Sequence, residues 1–412
     1  MIRRDYQDRA IKAVYSAYGS GSNACCLVAP TGSGKSFMGA EVALGARQNG
    51  ADVVWLVHRD ELVDQAGEAL LGCGFPVVTV QSLLASGDRP PADLLVLDEA
   101  HHYAADQWGA VARHYAGARV LGLTATPERS DGRPLGDLFD SMVVAASYSE
   151  LLSAGHLAPC EVFRPPTKGK ALAMSPADAW RTYGRDRSTI VFCATVAEAQ
   201  SVADELVMEA GARCVDGCTH QGIRRDVVDA FRSGACRVVT NVYVFTEGFD
   251  APRAEVCILA RGCSHVSTYL QIAGRVLRTH PGKTRATLID LTGASWTHGL
   301  PTEDREYSLD GSAIRAAGSR PDSLWQCKHC GFCIETQPAN RLCPHCGKRM
   351  PLPEALLIKQ RKLEKARHVA SASNEEKRDY WQGLQATAAA KGYKSGWAYY
   401  RFRGRYGHNP PA

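Results

Sequence analysis

Long apolar runs are absent from this sequence of 412 residues, and no stretch reaches the about 18 apolar residues that a membrane-spanning helix needs. Residues 1–7, MIRRDYQ, also lack the apolar segment of a secretory signal. No tandem repeat of about 20–50 residues is visible, so a repeat architecture is not expected. We therefore expect a soluble, cytoplasmic protein that has no membrane partner.

The sequence also lacks a strong excess of one charge, because 48 Lys and Arg residues stand against 43 Asp and Glu residues. The formal net charge of +5 is unevenly spread: residues 1–322 carry −5 and residues 323–412 carry +10. A hydrophobic content of 45% and a charged content of 22% exclude wholesale disorder. We expect a near-neutral body of two or more domains and a basic appendage that contacts a polyanion.

The cysteines do not form the even set of a disulfide framework. There are 15 of them, an odd number, and no secretory signal accompanies them. Eleven lie singly or as the pair Cys25-Cys26 in segments typical of buried strands and helices, where cysteine acts as a small hydrophobic residue. The other four form two Cys-x-x-Cys pairs near residue 330 and require a different explanation.

Short apolar runs alternate with helix-length segments over most of the chain, which is typical of parallel sheets with crossover helices. Two series of runs are predicted to be buried strands: 24–29, 53–57, 77–80, 94–97 and 120–123, then 189–193, 213–215, 237–240, 254–259 and 286–290. The fold class predicted from this pattern is α/β with two parallel-sheet domains.

Four domains follow from the same pattern. Residues 1–146 and 147–318 each contain one series of strands, and the mixed segment 147–167 is interpreted as a connector. Residues 319–352 are dense in Cys, Pro, Gly and His, with little apolar content for a core. Residues 353–412 form a basic, aromatic tail with helix-favouring stretches.

Residues 29–36, Ala-Pro-Thr-Gly-Ser-Gly-Lys-Ser, follow an apolar strand and open a helix, which is the context of a phosphate-binding loop. Glycines allow backbone N–H groups to close around phosphate oxygens, while Lys35 binds the β- and γ-phosphates and Ser36 holds Mg²⁺. The predicted nucleotide-binding residues are Thr31, Gly32, Ser33, Gly34, Lys35 and Ser36. Ala29 stands where the usual pattern has glycine, and a tight turn with an exposed lysine is the alternative.

Two carboxylates, Asp98 and Glu99, end the apolar run at residues 94–97. Ligands of open α/β sheets bind at this end of a strand. Asp98 is predicted to bind Mg²⁺, and Glu99 to orient and activate the attacking water. The alternative is that Asp98 only caps a helix.

The phosphate-binding loop at residues 29–36 and the sequence Asp98-Glu99-Ala100-His101 together resemble the motifs of superfamily 2 helicases of the DEAD/DEAH-box type. Further motifs follow in the order of that family over about residues 1–295. The resemblance implies two tandem RecA-like domains, ATP and Mg²⁺ as cofactors, and an ATP hydrolase that moves on nucleic acid. In Arg4-Asp5-Tyr6-Gln7, Gln7 matches the residue that reads adenine in the family.

The resemblance also implies roles for residues in later motifs. Arg59, Thr79 and Gln81 lie in segments that resemble those following a strand's phosphates. His101, Thr124 and Thr126 match motifs that couple ATP to nucleic acid. Thr240 and Asp250 match motifs of the second domain, the first assigned to nucleic acid and the second to the nucleotide.

Residues 271–278, QIAGRVLR, match the last motif of the family. On a helix, Gln271, Arg275 and Arg278 recur at i, i+4 and i+7 and share one face. Two guanidinium groups directed at a nucleotide on the other domain act as arginine fingers. The alternative is a solvated basic stripe.

Several motifs resemble the DNA-acting branch, including phage and bacterial helicases with a C-terminal zinc ribbon, more than the RNA-directed DEAD-box proteins. We therefore expect a DNA helicase or translocase of replication, recombination or repair, with protein partners in those processes. An RNA helicase with the same core is the alternative, since these motifs contact phosphates that DNA and RNA share. A non-catalytic nucleic-acid-binding scaffold is disfavoured by the intact catalytic residues.

The four paired cysteines, Cys327, Cys330, Cys343 and Cys346, have the spacing of a tetrahedral Zn²⁺ site. The segment has almost no core of its own, so a bound metal supplies its folding energy. A redox dithiol is the alternative, and Cys333, His329 and His345 are rival ligands.

The last residues, 391–405, alternate basic and aromatic side chains. Rings can stack on bases while cations neutralise phosphates. Alternatively, Trp397, Tyr400 and Tyr393 form the core of a small helical domain. The two interpretations are compatible if the rings lie inside and the cations outside.

Overall fold

The computed structural model describes residues 3–58, 63, 67, 73–85, 89–103, 110–112, 114–128, 134–165, 172–245, 251–310, 315–316, 325–327, 329–334, 342–348, 374–390, 396–406 and 409–411. The chain divides into two compact units, Met1–Gly347 and Lys348–Ala412. None of the helices in this described part combines the length and apolar character needed to cross a membrane.

The first sheet of the larger unit is wholly parallel, as the apolar runs predict. Its strands are β1 Ala24–Val28, β2 Val53–Val57, β3 Val77–Thr79, β4 Leu94–Asp98, β5 Arg119–Thr124 and β6 Ser141–Val144. Their order is β3-β2-β4-β5-β1-β6. The central strands are continuous apolar runs because side chains on both faces are buried.

Helices and short turns accompany this sheet. They are α1 Asp5–Gly19, α2 Lys35–Gln48, α3 Val80–Ala85 and the 3₁₀ turns Ala100–His102 and Leu135–Asp137. One face of the sheet packs with α1 and α2 around Trp55, and the other packs around Tyr103 and Phe139. The loops that follow β1, β4 and β5 therefore meet at the C-terminal edge of one rigid sheet.

The second sheet has eight strands in the order β15-β16-β7-β12-β11-β8-β10-β9. They are β7 Cys160–Phe163, β8 Thr189–Cys193, β9 Arg213–Val215, β10 Val238–Asn241, β11 Val256–Ala260, β12 Ala286–Asp290, β15 Trp325–Gln326 and β16 Phe332–Ile334. The strands from β7 to β12 pair in parallel, which confirms the predicted α/β fold of this half.

Helices and one π-helical turn accompany the second sheet. They are α4 Tyr148–Ser153, α5 Pro176–Ala179, the π-helical turn Trp180–Gly184, α6 Val196–Ala210, α7 Gln221–Ser233, α8 Val266–Leu277 and α9 Ser295–His298. A separate two-stranded ribbon pairs β13 Arg305–Glu306 with β14 Arg315–Ala316. Every residue of α8 from Tyr269 to Leu277 is buried, so α8 packs on more than one side.

Segment 147–167 is more than the connector predicted from its mixed sequence. Within its described residues, it contains α4 and β7, and β7 pairs with β12 inside the second sheet. The strand was missed because Cys160-Glu161-Val162-Phe163 is short and is interrupted by a charged residue. The domain boundaries predicted at 146/147, 318/319 and 352/353 stay predictions.

The smaller unit contains two described helices, α10 Asn374–Ala390 and α11 Gly396–Tyr406. Phe402 is fully buried and lies between Tyr380 and Trp381, with ring centroids 6.3 and 5.8 Å away. The core prediction that named Tyr400 is wrong, since this residue is 72% exposed and Phe402 takes the interior position. Tyr393 lies outside the described residues.

Candidate functional site

The loop between β1 and α2 has the backbone geometry of a phosphate cradle. Gly32 and Gly34 have φ values of +89° and +86°, which residues with a side chain rarely adopt. α2 begins at Lys35, whose side chain is buried, and Ser36 is exposed in its first turn. Since the first N–H groups of a helix have no partner inside it, this end of α2 favours an anion.

Helix α1 closes one side of this loop. The Nε2 group of Gln7 donates to the Ser33 carbonyl at 3.1 Å, and the Tyr6 hydroxyl donates to the same carbonyl. A Cβ atom at position 34 would lie 2.7 Å from Gln7 Nε2, so this contact needs glycine. Gln7 therefore lies at the phosphate loop, whereas its reading of adenine stays a prediction. Sequence reasoning missed Tyr6, although it precedes Gln7 in the same motif.

The loop lysine and the β4 carboxylates share one pocket. Lys35 Nζ donates to Glu99 Oε1 at 2.9 Å. Glu99 has a φ of +50°, a left-handed conformation that costs a non-glycine residue about 1–3 kcal/mol and occurs mainly at functional sites. The 3₁₀ turn that follows has Glu99 as its N-cap residue, so the alternative role of Asp98 as a helix cap is wrong. Asp98 instead accepts a hydrogen bond from the Glu99 N–H at 3.0 Å.

Helix α8 of the second sheet lies directly on the phosphate loop. A Cβ atom at Gly274 would be 2.4 Å from Thr31 Cβ, and one at Gly32 would be 3.1 Å from Arg278 Cγ. Arg275 is buried at this contact, which excludes a solvated stripe there. α8 ends at Leu277, so Arg278 lies just after the predicted helical face.

Burial lowers the pKa of Arg278. A guanidinium group remains charged at any ordinary pH, so desolvation leaves a cation at the loop that a phosphate can neutralise. The loop thus has two cationic side chains beside it, Lys35, which pairs with Glu99, and Arg278, while Arg275 lies buried on α8 next to Gly274. The arrangement can hold a polyanionic phosphate and a divalent cation, with Ser36 and Asp98 as the oxygen ligands that Mg²⁺ prefers.

A hydrogen-bonded chain connects the carboxylates of the first sheet to α8. Gln271 Nε2 lies 3.2 Å from His101 Nε2, and His101 Nδ1 lies 3.0 Å from Thr124 Oγ1. The Thr124 hydroxyl donates to the Thr126 carbonyl at 2.7 Å. The Gln271 amide N–H₂ can donate to His101 Nε2, while His101 Nδ1 faces the Thr124 hydroxyl. His101 Nδ1 is also 3.6 Å from Glu99 Oε2, so one imidazole contacts the ATP site, the β5 loop and α8.

Four predicted nucleic-acid residues, and Asp250, which was predicted to bind the nucleotide, are less uniformly placed. Thr79 is buried and caps α3, since its Oγ1 accepts from the Ser82 N–H at 3.1 Å, whereas Gln81 is exposed on that helix. Thr240 is buried, and its hydroxyl donates to the Ala199 carbonyl at 2.7 Å. Arg59 and Asp250 lie outside the described residues. The roles assigned to these five stay predictions.

Lys283 is a residue that sequence reasoning missed. Its Nζ donates to the carbonyls of Arg278 at 2.7 Å and Ala254 at 2.6 Å, and thereby joins the end of α8 to the start of β11. Burial lowers the pKa of Lys283 to about 8. The signal in the sequence was a lone lysine in Pro281-Gly282-Lys283, which predicts a turn and nothing more.

The four paired cysteines converge, as their spacing predicts. Their Sγ atoms lie within 4.8 Å of one another, and the closest pairs are Cys330–Cys343 at 3.6 Å and Cys327–Cys346 at 3.8 Å. Zn–S bonds of about 2.3 Å in a tetrahedron require S–S separations of about 3.8 Å. The donor set therefore fits a structural zinc ion.

The rival ligands lie outside this cluster. Cys333 Sγ is turned to the Gly331 carbonyl at 3.3 Å, and the His345 ring packs against Phe163 and Phe332 at centroid distances of 4.9 and 5.6 Å. β16 runs antiparallel to β7, with Phe332 opposite Phe163. The cysteine hairpin is thus continuous with the second sheet, which the composition of segment 319–352 did not indicate.

Two protein-family models match the chain. The helicase conserved C-terminal domain matches residues 177–280, which contain α8. The res subunit of type III restriction enzymes matches residues 1–88 and 75–129, which contain the phosphate loop and the β4 carboxylates.

Curated relatives extend over more of the chain. A 51.5 kDa protein of Lactococcus phage (isolate 7-9) is 29% identical over 362 residues, which cover 80% of this chain and 78% of that protein. A Saccharomyces cerevisiae protein provisionally named ATP-dependent helicase IRC3 is 27% identical over 361 residues, which cover 71% of this chain. The chain spans about half the length of the yeast relative, 52%.

Solved structures share the fold. The ATP-dependent type ISP restriction-modification enzyme LlaBIII, solved bound to DNA, aligns with a TM-score of 0.55 and 19% identity over 71% of this chain and 28% of its own. The DUF1998 helicase MrfA, also bound to DNA, aligns with a TM-score of 0.53 and 17% identity over 70% of this chain and 48% of its own. Together with the motifs, the two family models and the curated relatives support the assignment of this chain to the superfamily 2 helicases of the DEAD/DEAH-box type.

Proposed function

We propose that the protein is an ATP-dependent DNA helicase or translocase whose ATP site is completed by its second sheet. The observation that carries this proposal is the contact of α8 with the phosphate loop, where Gly274 meets Thr31 and Gln271 reaches His101. In this proposal both ATP hydrolysis and movement of the domains depend on the contact of α8 with the phosphate loop, so the two processes are coupled.

The side chains around the phosphate loop can supply the chemistry of ATP hydrolysis. Lys35, Arg275 and Arg278 stabilise negative charge that develops on the phosphates, and Glu99 accepts a proton from the attacking water. Asp98 and Ser36 would hold Mg²⁺, which when bound neutralises phosphate charge. His101 senses this pocket through Glu99 and passes its state to α8 through Gln271.

We favour DNA over RNA as the substrate because two proteins of similar fold, LlaBIII and MrfA, were both solved bound to DNA. The first-half match to a restriction-enzyme subunit points the same way. The proposal includes a role in replication, recombination or repair and protein partners in those processes. It also includes a cytoplasmic location.

A comparison of ATP hydrolysis with single-stranded DNA, duplex DNA, forked DNA and RNA of matched length tests the proposal. We expect stimulation by DNA, abolished in Lys35→Ala and retained in Lys12→Ala, an exposed lysine on α1. Stimulation by RNA alone would establish the RNA helicase instead. Nucleic-acid binding without hydrolysis would establish a scaffold.

We also propose that Cys327, Cys330, Cys343 and Cys346 bind one structural Zn²⁺. The support is the near-tetrahedral convergence of their Sγ atoms and the sparse apolar content around them. Four filled ligand positions leave no site for catalysis. Protein purified without chelator should contain one zinc per chain, and a ratio near zero would overturn the assignment.

A further inference from the structure

A tyrosine and an arginine form a pair at the C-terminal edge of the second sheet. Tyr243 lies two residues after β10, and Arg261 directly follows β11. β8 lies between these strands, and the chain moves from β8 to one side for β9 and β10 and to the other for β11 and β12. The carboxyl ends of β8 and β11 therefore flank a topological switch point, where open α/β sheets bind ligands.

The left-handed backbone conformation of Tyr243 is unfavourable for folding, which suggests that the residue has another role. Its φ is +61°, and among the described residues it is the one aromatic with a positive φ. A bulky residue in this region is an outlier, and such strain collects at functional sites. The residue is also 52% exposed, so burial of the ring does not explain why a tyrosine occupies this position.

Arg261 supports the ring from one side. Its Cζ lies 3.4 Å from the centroid of the Tyr243 ring, and its Nη2 contacts the Tyr243 hydroxyl. Arg261 itself is only 8% exposed, and its Nη1 has no hydrogen-bond partner in the described chain. A planar guanidinium stacks well on an aromatic face. A buried cation thus fixes an aromatic ring that remains half in solvent.

We propose that Tyr243 is a base-stacking residue, whose ring receives a nucleobase of the tracked strand on the face opposite Arg261. The inference rests on the proposed function and deepens it, because it assigns a contact to a base, whereas Arg59, Thr79 and Gln81 lie in segments predicted to follow the phosphates. Stacking on an aromatic ring is tolerant of sequence, since every base has a π-face. Arg261 acts as a positioning residue that holds the ring and adds positive charge at the strand.

The test measures binding of a fluorescent oligo-dT by anisotropy. Tyr243→Ala should weaken binding about 5- to 140-fold, equivalent to about 1–3 kcal/mol for the loss of one stacked base. Tyr243→Phe should keep the affinity within about threefold, because the ring is retained. The salt dependence should not change, since no phosphate contact is lost. Tyr15→Ala, at a 44% exposed tyrosine on α1, serves as the control and should bind like the wild type.

An oligonucleotide with abasic sites separates stacking from other roles. The wild type and Tyr243→Ala should bind it equally, because no base is present to stack. An equal loss on intact and abasic strands would overturn the proposal, as would wild-type affinity of Tyr243→Ala, the result expected if the ring instead serves a protein partner. A wild type that binds no nucleic acid would be a failure of the proposed function itself.

Thermal unfolding distinguishes a role of Tyr243 in binding from a role in folding. Tyr243→Gly removes the ring and relieves the left-handed strain, so its melting temperature should be no lower than that of the wild type while oligo-dT binding is weakened. A clear fall in melting temperature for this variant would show that the ring serves folding, and would contradict the proposal.

Discussion

Replacement of Gly274 by alanine tests whether α8 must lie on the phosphate loop for hydrolysis. The new Cβ atom would lie 2.4 Å from Thr31 Cβ and 2.7 Å from Thr31 Cγ2. Carbon atoms prefer separations of about 3.5–4.0 Å, so α8 or the loop has to move by about 1 Å. Overpacking of this kind costs about 1–3 kcal/mol. The cost falls on the closed arrangement alone, because the clash disappears when the domains separate.

Steady-state ATP hydrolysis at saturating ATP and DNA measures this cost. We expect kcat of Gly274→Ala to fall about 5- to 140-fold, since each 1.4 kcal/mol is about tenfold in population. Binding of a fluorescent nucleotide should change little, because Lys35 and Gln7 belong to the first sheet. Gly217→Ala is the matched control, as no atom lies within 4 Å of its added Cβ. A Gly274→Ala enzyme with kcat within twofold of the wild type would refute the requirement for this contact.

Four further variants test other parts of the molecule. Gln271→Leu should leave basal hydrolysis within a few-fold but reduce its stimulation by DNA about 5- to 100-fold, because the buried hydrogen bond to His101 is lost. Unchanged stimulation would show that this hydrogen-bonded chain does not couple the two activities. Cys343→Ser should release zinc and speed amide exchange at Arg164, whose N–H donates to the Gly331 carbonyl at 3.3 Å; slow exchange in the zinc-free protein would contradict this coupling. The pKa of Lys283 is lowered from 10.5 to about 8, so the unfolded chain binds this proton more tightly between these values. The free energy of urea unfolding should therefore rise from pH 7.5 to 9.5 in the wild type relative to Lys283→Met, and a constant difference would argue against burial of the charge. Deletion of residues 354–412 should flatten the salt dependence of DNA binding by about 0.9 per lost phosphate contact, and an unchanged slope would argue against a phosphate-binding tail.

Local pattern was sufficient for most of the two sheets. The predicted strands at 53–57, 189–193 and 286–290 coincide with β2, β8 and β12, because strands buried on both faces are continuous apolar runs. β6 and β7 were missed, since short strands with polar residues carry no periodic signal. The pairing of the cysteine hairpin with β7 depends on residues far apart in the chain, which composition does not reveal.

In the candidate site, too, some features were predicted from local pattern and others depend on tertiary context. The spacing of motifs identified Lys35, Glu99 and Arg275; the structure pairs Lys35 with Glu99 and buries Arg275 on α8, next to the glycine that meets the phosphate loop. The role of Thr79 as a helix cap depends on where α3 begins, which the motif resemblance overlooked. The left-handed backbone of Tyr243 depends on tertiary context, which sequence reasoning does not supply.

Hydrolysis by Arg275→Ala tests the central claim, that the second sheet completes the ATP site. With saturating DNA, we predict a fall in kcat of about 10³-fold or more, as for other arginine fingers, with nucleotide binding preserved. Arg213→Ala, an exposed arginine on β9, should hydrolyse ATP like the wild type. DNA-stimulated hydrolysis by Arg275→Ala at the wild-type rate would contradict the claim.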